Sequence, residues 1–600
     1  MDDDLLEDTA VARADLGLRL AAVSVFADLE PLALEAIAAD VEWFSLPGGA
    51  MLFDVGESAD ALYVVLSGCL GAFASDDPLR PRLLGRIVAG DTAGEMGLIT
   101  GRARTARVIA LRDSELVRLS SEAFNRIFLS LPQAMLRMAR LTAERLESSH
   151  DPTPGRPPGP RTFAILPQSL EADVTGFATE LVRALRRLGQ AELVWSVRGA
   201  DHTSQWFHRI ESANDYVVYV ADQAATPWSR LCMRQADVLL LVARAESVAA
   251  PWPALEGLPN ASVALQRSEL VLLHDERIER GAATRWLALQ PHVPHHHVVR
   301  SADVARVARL LTGTAVGLVL SGGGARGFAH IGVVQALREL GIAIDLVGGT
   351  SMGGIMGAAV ASGWSVPEMV ERFRRSFVLT NPLRDYTVPW VSLVSGRKVS
   401  RLLYAGFGDD TIEDLALPFF CVSSSLTSGY PAVHRSGVLW RWLRASVAIP
   451  GVLPPVLAQG EVFVDGGATN NLPVDVMRDL GRGPIIACDV GADRAFTARS
   501  EDVDAPPLWK LFEWMRGARR RPNIFQILFR AGMVGSAALT YLHREQSDLL
   551  LQPPLETVDM LNWKAFDKAV AAGHDHAIDR IGALGPAVAM RFGLRGEGFG

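Results

Sequence analysis

Apolar residues recur at helical spacing from about residue 16 to 40 and again from about 121 to 147. Between these stretches the pattern breaks into short apolar runs punctuated by Pro47-Gly48-Gly49, Val55-Gly56-Glu57 and Leu66-Ser67-Gly68. Short strands with glycine turns predict a small β-roll or jelly roll flanked by helices. From Arg161 to about Thr312 the rhythm changes. Strand-length runs at 162–166, 216–220, 238–242 and 270–273 alternate with helical stretches such as 178–185. That alternation predicts an α/β unit with a parallel sheet. Two further strands, at 316–321 and 344–348, each run into a glycine-rich turn.

Residues 151–160, Asp-Pro-Thr-Pro-Gly-Arg-Pro-Pro-Gly-Pro, can build neither helix nor sheet and read as a stiff, extended linker. The pattern therefore divides the chain into a β-roll at 16–148, a linker at 149–160, a middle α/β domain at 161–312, a second α/β domain at 313–495 and a helical extension at 496–600.

Composition changes this picture little. A formal net charge of −8 excludes the basic field of a general nucleic-acid binder. Cys69, Cys232, Cys421 and Cys488 are scattered, which indicates neither a disulfide framework nor a zinc site and suits a reducing compartment. The acidic start Met1-Asp2-Asp3-Asp4 is unlike a signal peptide, and no apolar run reaches the roughly 18 residues of a membrane span. The expectation is a cytoplasmic protein with no transmembrane segment. The cluster His292, His295, His296 and His297 lacks an acidic partner and helical spacing, so it reads as a loop rather than a metal site.

The chemistry concentrates at the two glycine turns. Gly349-Thr350-Ser351-Met352-Gly353 is a G-x-S-x-G elbow, which exposes a serine hydroxyl between strand and helix. Upstream, Gly322-Gly323-Gly324-Ala325-Arg326-Gly327 offers bare backbone N–H groups where negative charge is stabilised. The same glycines fit the dinucleotide pattern G-x-G-x-x-G, with Asp345 near the position of a ribose-binding acid. That acid belongs at the C-terminal end of its strand, whereas Asp345 opens the strand. A serine nucleophile needs a base. Asp465 is delivered by the strand 460–465 to the Gly466-Gly467 turn and is the best candidate. A full triad would draw its histidine from His543, His574 or His576, while His330 reads as a packing or capping partner.

The loop G-G-G-x-R-G, the elbow G-x-S-x-G and Asp465-Gly466-Gly467, in that order, resemble the patatin-like phospholipases. Residues 444–451 with Pro454-Pro455 fit that family's stretch before the aspartate strand. The resemblance covers about 312–495 and implies a Ser–Asp dyad. Ser351 would be the nucleophile and Asp465 the base. Amides around Gly322, Gly323 and Gly324 would hold the oxyanion, with Arg326 steadying the loop or the developing charge.

In the first domain, Gly94-Glu95 followed by Arg104-Thr105-Ala106 resembles the phosphate cassette of cyclic-nucleotide-binding domains, as do Gly56-Glu57 and 63–68. That resemblance implies cAMP or cGMP as a possible regulator. A helix from Glu95 would face the phosphate, Arg104 would pair with it, and Glu95 would accept from the ribose; no cofactor is expected for catalysis. The whole order of domains resembles bacterial relatives of neuropathy target esterase. The implied function is hydrolysis of lysophospholipid or phospholipid esters at a membrane surface. The alternative is a nucleotide-sensing scaffold whose hydrolase domain is silent. The stretch 508–543 mixes aromatic residues with arginines, as an interfacial helix does, or else covers the hydrolase core.

Overall fold

The computed structural model describes residues 16–74, 83–150, 160–251, 267–290, 293–491 and 524–594, apart from positions 18, 22, 27–28, 131, 201 and 203. The chain divides into two compact units, one of residues 1–273 with 289–294 and one of 274–288 with 295–600.

The first unit contains the helix Pro31–Asp40, followed by eight strands: β1 (Val41–Leu46), β2 (Met51–Phe53), β3 (Ala61–Ser67), β4 (Cys69–Phe73), β5 (Leu83–Val88), β6 (Thr92–Ala93), β7 (Arg107–Ala110) and β8 (Ser114–Ser120). They form two antiparallel four-stranded sheets, of order β1-β8-β3-β6 and β2-β7-β4-β5. Phe53, Tyr63, Val65, Leu70 and Val108 fill one core, while Leu62, Val64 and Leu119 turn to the flanking helices. This alternation along β3 is why the strand can be buried on both faces. The expected β-roll is present.

The middle region forms β9 (Thr162–Pro167), β10 (Ala191–Val194), β11 (Tyr216–Val220), β12 (Val238–Arg244) and β13 (Arg267–Leu273), parallel in the order β10-β11-β9-β12-β13. Four of these strands follow the expected runs. The fifth, β10, has only two buried residues in four and gave no apolar signal.

The linker at 151–159 lies outside the described residues, but the modules on either side of it touch directly. Arg86 pairs with Asp237 at 2.9 Å, Arg112 with Glu211 at 2.8 Å and Arg234 with Asp113 at 2.9 Å. Asp237 also accepts from the amides of Arg161 and Thr162.

In the second unit the histidines expected in a loop form a strand, β14 (His295–Val298). Histidine is a weak strand signal, and backbone pairing decides the outcome, with the His274 amide donating to the Val298 carbonyl at 2.8 Å; the His295 and His297 rings add bonds to the carbonyl of Glu413, at 2.8 and 2.7 Å. His297 is also 2.8 Å from the His274 ring, and burial holds its pKa down at about 3. His292 lies outside the described residues.

The large sheet has the order β19 (Val456–Ala458), β20 (Glu461–Asp465), β17 (Phe419–Ser425), β16 (Leu346–Thr350), β15 (Gly317–Leu320), β21 (Ile485–Cys488) and β22 (Leu549–Leu551), with β18 (Pro431–His434) on β17. Its centre, from β17 to β22, is parallel, and β20 is antiparallel to β17. The helix Met352–Ala361 is buried along its whole length. Within the sheet, Gly348 on β16 leaves room for the Phe420 ring of β17, which a β-carbon there would meet at 2.1 Å.

The C-terminal region is more than a helical extension. It adds β22 to the sheet, and its helix Phe566–Gly582 packs on Ala329–Glu339. Gly332 and Gly573 let the two backbones meet: a β-carbon on either would lie 2.0 Å from a carbonyl of the other helix. Much of the aromatic–basic stretch 508–543 lies outside the described residues. The helix Ile524–Glu545 covers the Asp465 turn, with Ser536 donating to the Gly467 carbonyl at 2.6 Å and His543 bonding to that of Leu472 at 2.9 Å.

Candidate active site

Ser351 stands between β16 and the helix Met352–Ala361 with φ 54° and ψ −123°. This left-handed backbone is uncommon for a residue with a side chain and stores strain at the turn. Small neighbours make it possible: a β-carbon at Gly349 would meet Gly353 backbone at 2.6 Å, and one at Gly353 would meet the Leu320 carbonyl at 2.2 Å. The Ser351 amide donates to the Ser446 hydroxyl at 2.8 Å, and that hydroxyl donates to the Val422 carbonyl at 2.6 Å.

β20 brings Asp465 to the same point. Ser351 Oγ donates to Asp465 Oδ2 at 2.7 Å, and Oδ1 accepts from the Gly467 amide at 2.8 Å. Both side chains are buried. Burial raises the Asp465 carboxyl from 3.8 to about 6, against the lowering effect of those two bonds. A carboxylate poised near neutrality can take a proton at physiological pH.

The glycine loop runs beside this pair. The Gly322 amide donates to the Asn471 carbonyl at 3.3 Å, and Asn471 Nδ2 donates to the Gly322 carbonyl at 3.3 Å. A β-carbon on Gly322 would be 3.0 Å from that of Ser351. Gly324 has φ 57°, and its β-carbon would meet the Met560 carbonyl at 2.4 Å. Among the described residues, the Gly323 and Gly324 amides have no intramolecular acceptor. Arg326 Nε donates to the Val558 carbonyl at 2.8 Å, and the Ala325 amide donates to Met560. Arg326 therefore ties the loop to residues 558–560.

Asp345 is 1% exposed, is paired with Arg309 at 2.6 and 2.9 Å, and accepts from the Val316 amide. It is occupied as a structural anion, which removes the acid that the dinucleotide pattern requires. The triad histidines go elsewhere: His543 to Leu472, His574 to Glu339 and Asp575, and His576 to the Gln552 amide. His330 is fully buried, 2.9 Å from the Ser321 carbonyl and 3.2 Å from Cys488 Sγ. Among the described residues no histidine bonds to Ser351 or Asp465.

Residues 318–478 match the family model of the patatin-like phospholipases. The chain carries a patatin-like phospholipase domain. Ahead of it, 160–312 match the P-loop-like domain of the neuropathy target esterase family, and 43–130 match the cyclic nucleotide-binding domain. The expected kinship with neuropathy target esterase is borne out over most of the chain. Patatin-like phospholipase domain-containing protein 7 of Rattus norvegicus is 31% identical over 89% of the chain. Neuropathy target esterase sws of Drosophila melanogaster is 30% identical and lysophospholipase NTE1 of Saccharomyces cerevisiae 28%, over the same share. The chain spans 41–45% of the length of these relatives.

The patatin-like domain also uses residues that its motifs do not mark. Ser446 lies in the stretch before the aspartate strand, and Asn471 follows the Asp-Gly-Gly turn, but nothing in their spacing says that one holds the nucleophile's amide and the other the glycine loop. Residues 558–560 lie outside the family match altogether.

In the cyclic nucleotide-binding domain, the short helix Glu95–Thr100 starts after Gly94, whose φ of 88° suits glycine alone. Arg104 turns inward: it is 3% exposed, donates to the carbonyls of Gly94 at 2.9 Å and Ala61 at 2.8 Å, and lies over the rings of Phe53 and Tyr63. Glu95 is buried, Thr105 is exposed and Ala106 half-buried. Among the described residues no helix is long and apolar enough to cross a membrane.

Proposed function

We propose that this protein is a serine carboxyl-ester hydrolase acting on lysophospholipids or phospholipids at a membrane surface. Its segments would be 16–148 for nucleotide sensing, 149–160 as linker, 161–312 as a communicating domain, 313–495 as hydrolase core and 496–600 as an extension completing that core. The observation that carries the reading is the 2.7 Å bond from the strained Ser351 hydroxyl to a buried carboxylate.

Asp465 takes the Ser351 proton as Oγ attacks the ester carbonyl. The amides of Gly323 and Gly324 receive the oxyanion; the Gly322 amide is already bonded to the Asn471 carbonyl and, with Arg326, holds the loop in place. As the acyl–oxygen bond breaks, the protonated Asp465 returns its proton to the departing alcohol. Water, deprotonated by the same carboxylate, then releases the acid.

The N-terminal domain would bind cAMP or cGMP through Gly94, Glu95, Arg104, Thr105 and Ala106, with Arg104 exchanging its carbonyl partners for the phosphodiester. The protein would act in the cytoplasm, peripherally at the inner membrane surface. The rival reading, a nucleotide-sensing scaffold, has no use for the intact dyad. Labelling with a fluorophosphonate probe separates the two: the adduct should map to Ser351 and vanish in Ser351→Ala together with aryl-ester hydrolysis. Undiminished labelling of that variant would overturn the assignment.

A further inference from the structure

We infer that the hairpin 385–395 is the element by which this protein docks on an anionic phospholipid bilayer, an inference that rests on the lipid-hydrolase reading above. The Thr387 amide donates to the Leu393 carbonyl and the Ser395 amide to that of Asp385, which makes a short antiparallel hairpin. At its tip Val388, Pro389, Trp390 and Val391 are exposed, Trp390 at 92%, with Tyr386 beside them at 70%. An indole left this bare in water finds its preferred place at a membrane interface.

The base of the hairpin carries the opposite chemistry. Arg384, Arg397, Lys398 and Arg401 are all exposed, and among the described residues none of them is in an ion pair. Asp385, the acid between them, is engaged inward with the Ser395 hydroxyl at 2.7 Å and the Lys398 amide at 3.1 Å. An apolar tip above a ring of cations matches the layering of a bilayer, with acyl chains beneath anionic phosphates. The protein's overall charge of −8 would repel such a surface, so the local cations choose which face meets it.

The hairpin is also firmly seated. Val394 is fully buried, and the amides of Leu393 and Val394 donate to the carbonyls of Gly451 and Val452 at 2.9 and 3.1 Å. Those residues directly follow the segment in which Ser446 holds the Ser351 amide and Ala448 accepts from the Asp465 amide. A bilayer gripped by the tip is therefore tied by a few bonded residues to the dyad.

The test uses the full chain and vesicle co-sedimentation, with vesicles of phosphatidylcholine alone or with phosphatidylglycerol in equal parts. Wild type should bind the mixed vesicles, and Trp390→Asp should lower its partition coefficient by about tenfold or more. Replacing Arg397 and Lys398 by Gln should cost about fivefold for each charge, on mixed vesicles only. Circular dichroism and thermal midpoints report whether each variant is folded. Equal partitioning of wild type and Trp390→Asp overturns the inference. So does a Trp390→Asp protein that changes only its own association state, because the tip would then meet a second copy. Hydrolysis of a water-soluble aryl ester by wild type is followed separately. Turnover without vesicle binding removes the docking hairpin and leaves the esterase, whereas Trp390-dependent binding without turnover does the reverse.

Discussion

Replacing Asp465 by Asn should stabilise the protein while inactivating it. The native carboxyl is fully buried and its pKa is raised from 3.8 to about 6. A group whose folded value lies above its unfolded one contributes stability below the unfolded pKa and loses that contribution as pH rises through the folded one. Above about pH 6 the wild type therefore carries an ionised carboxylate that burial disfavours by about 3 kcal/mol. Asn removes this penalty; its Oδ1 still accepts from the Gly467 amide, while its Nδ2 donates to Ser351 Oγ and so reverses that bond. Near pH 8 the variant's thermal midpoint should exceed the wild type's by about 3–5 °C, and the two should converge near pH 4. Turnover should fall by about 10²–10⁴ with loss of the base. The wild type's kcat/KM on an aryl ester should drop about tenfold per pH unit below about 6. Scanning calorimetry and a pH–rate profile measure both quantities. A variant that is less stable at pH 8, or a wild-type profile that is flat down to pH 5, would refute the reasoning.

Two further outcomes follow from the site geometry. Ser446→Ala leaves the buried Ser351 amide without an acceptor, which should cost about 1–3 kcal/mol of stability and lower kcat more than it raises KM; unchanged kcat would show that the elbow is held by other contacts. Arg104→Ala should weaken cyclic-nucleotide binding by about 2–4 kcal/mol in calorimetry of the full chain with cAMP and cGMP. No binding heat in the wild type would leave that domain structural, and unchanged ester kinetics at saturating nucleotide would remove its regulatory role.

The elbow, the glycine loop and the aspartate turn were legible because each is a local event, a strand ending in residues that only one backbone path accommodates. Distant contacts were not. Ser446 and Asn471 act on Ser351 and Gly322 across the fold, and the Met560 carbonyl that any side chain at Gly324 would strike lies far downstream in the chain. β14 was hidden because histidine is a weak strand signal and the backbone that pairs with it, such as the His274 amide on the Val298 carbonyl, is distant in sequence. β22 was hidden for a similar reason: three leucines amid helical pattern become a strand only when Ile486 through Cys488 stand beside them.

The bond from the Ala325 amide to the Met560 carbonyl also bears on the order in which the protein is made. Ribosomes deliver the nucleophile elbow, the glycine loop and Asp465 well before residues 549–582 emerge. Until then the central sheet lacks its edge strand β22, the helix Ala329–Glu339 lacks its glycine-matched partner, and the loop beside Ser351 lacks its anchor at residues 558–560. A half-synthesised chain thus carries the nucleophile without a finished anion cradle. Ester-cleaving power would arrive late in translation, and chains stopped after about residue 546 should bear an unreactive Ser351 even where the first unit has folded.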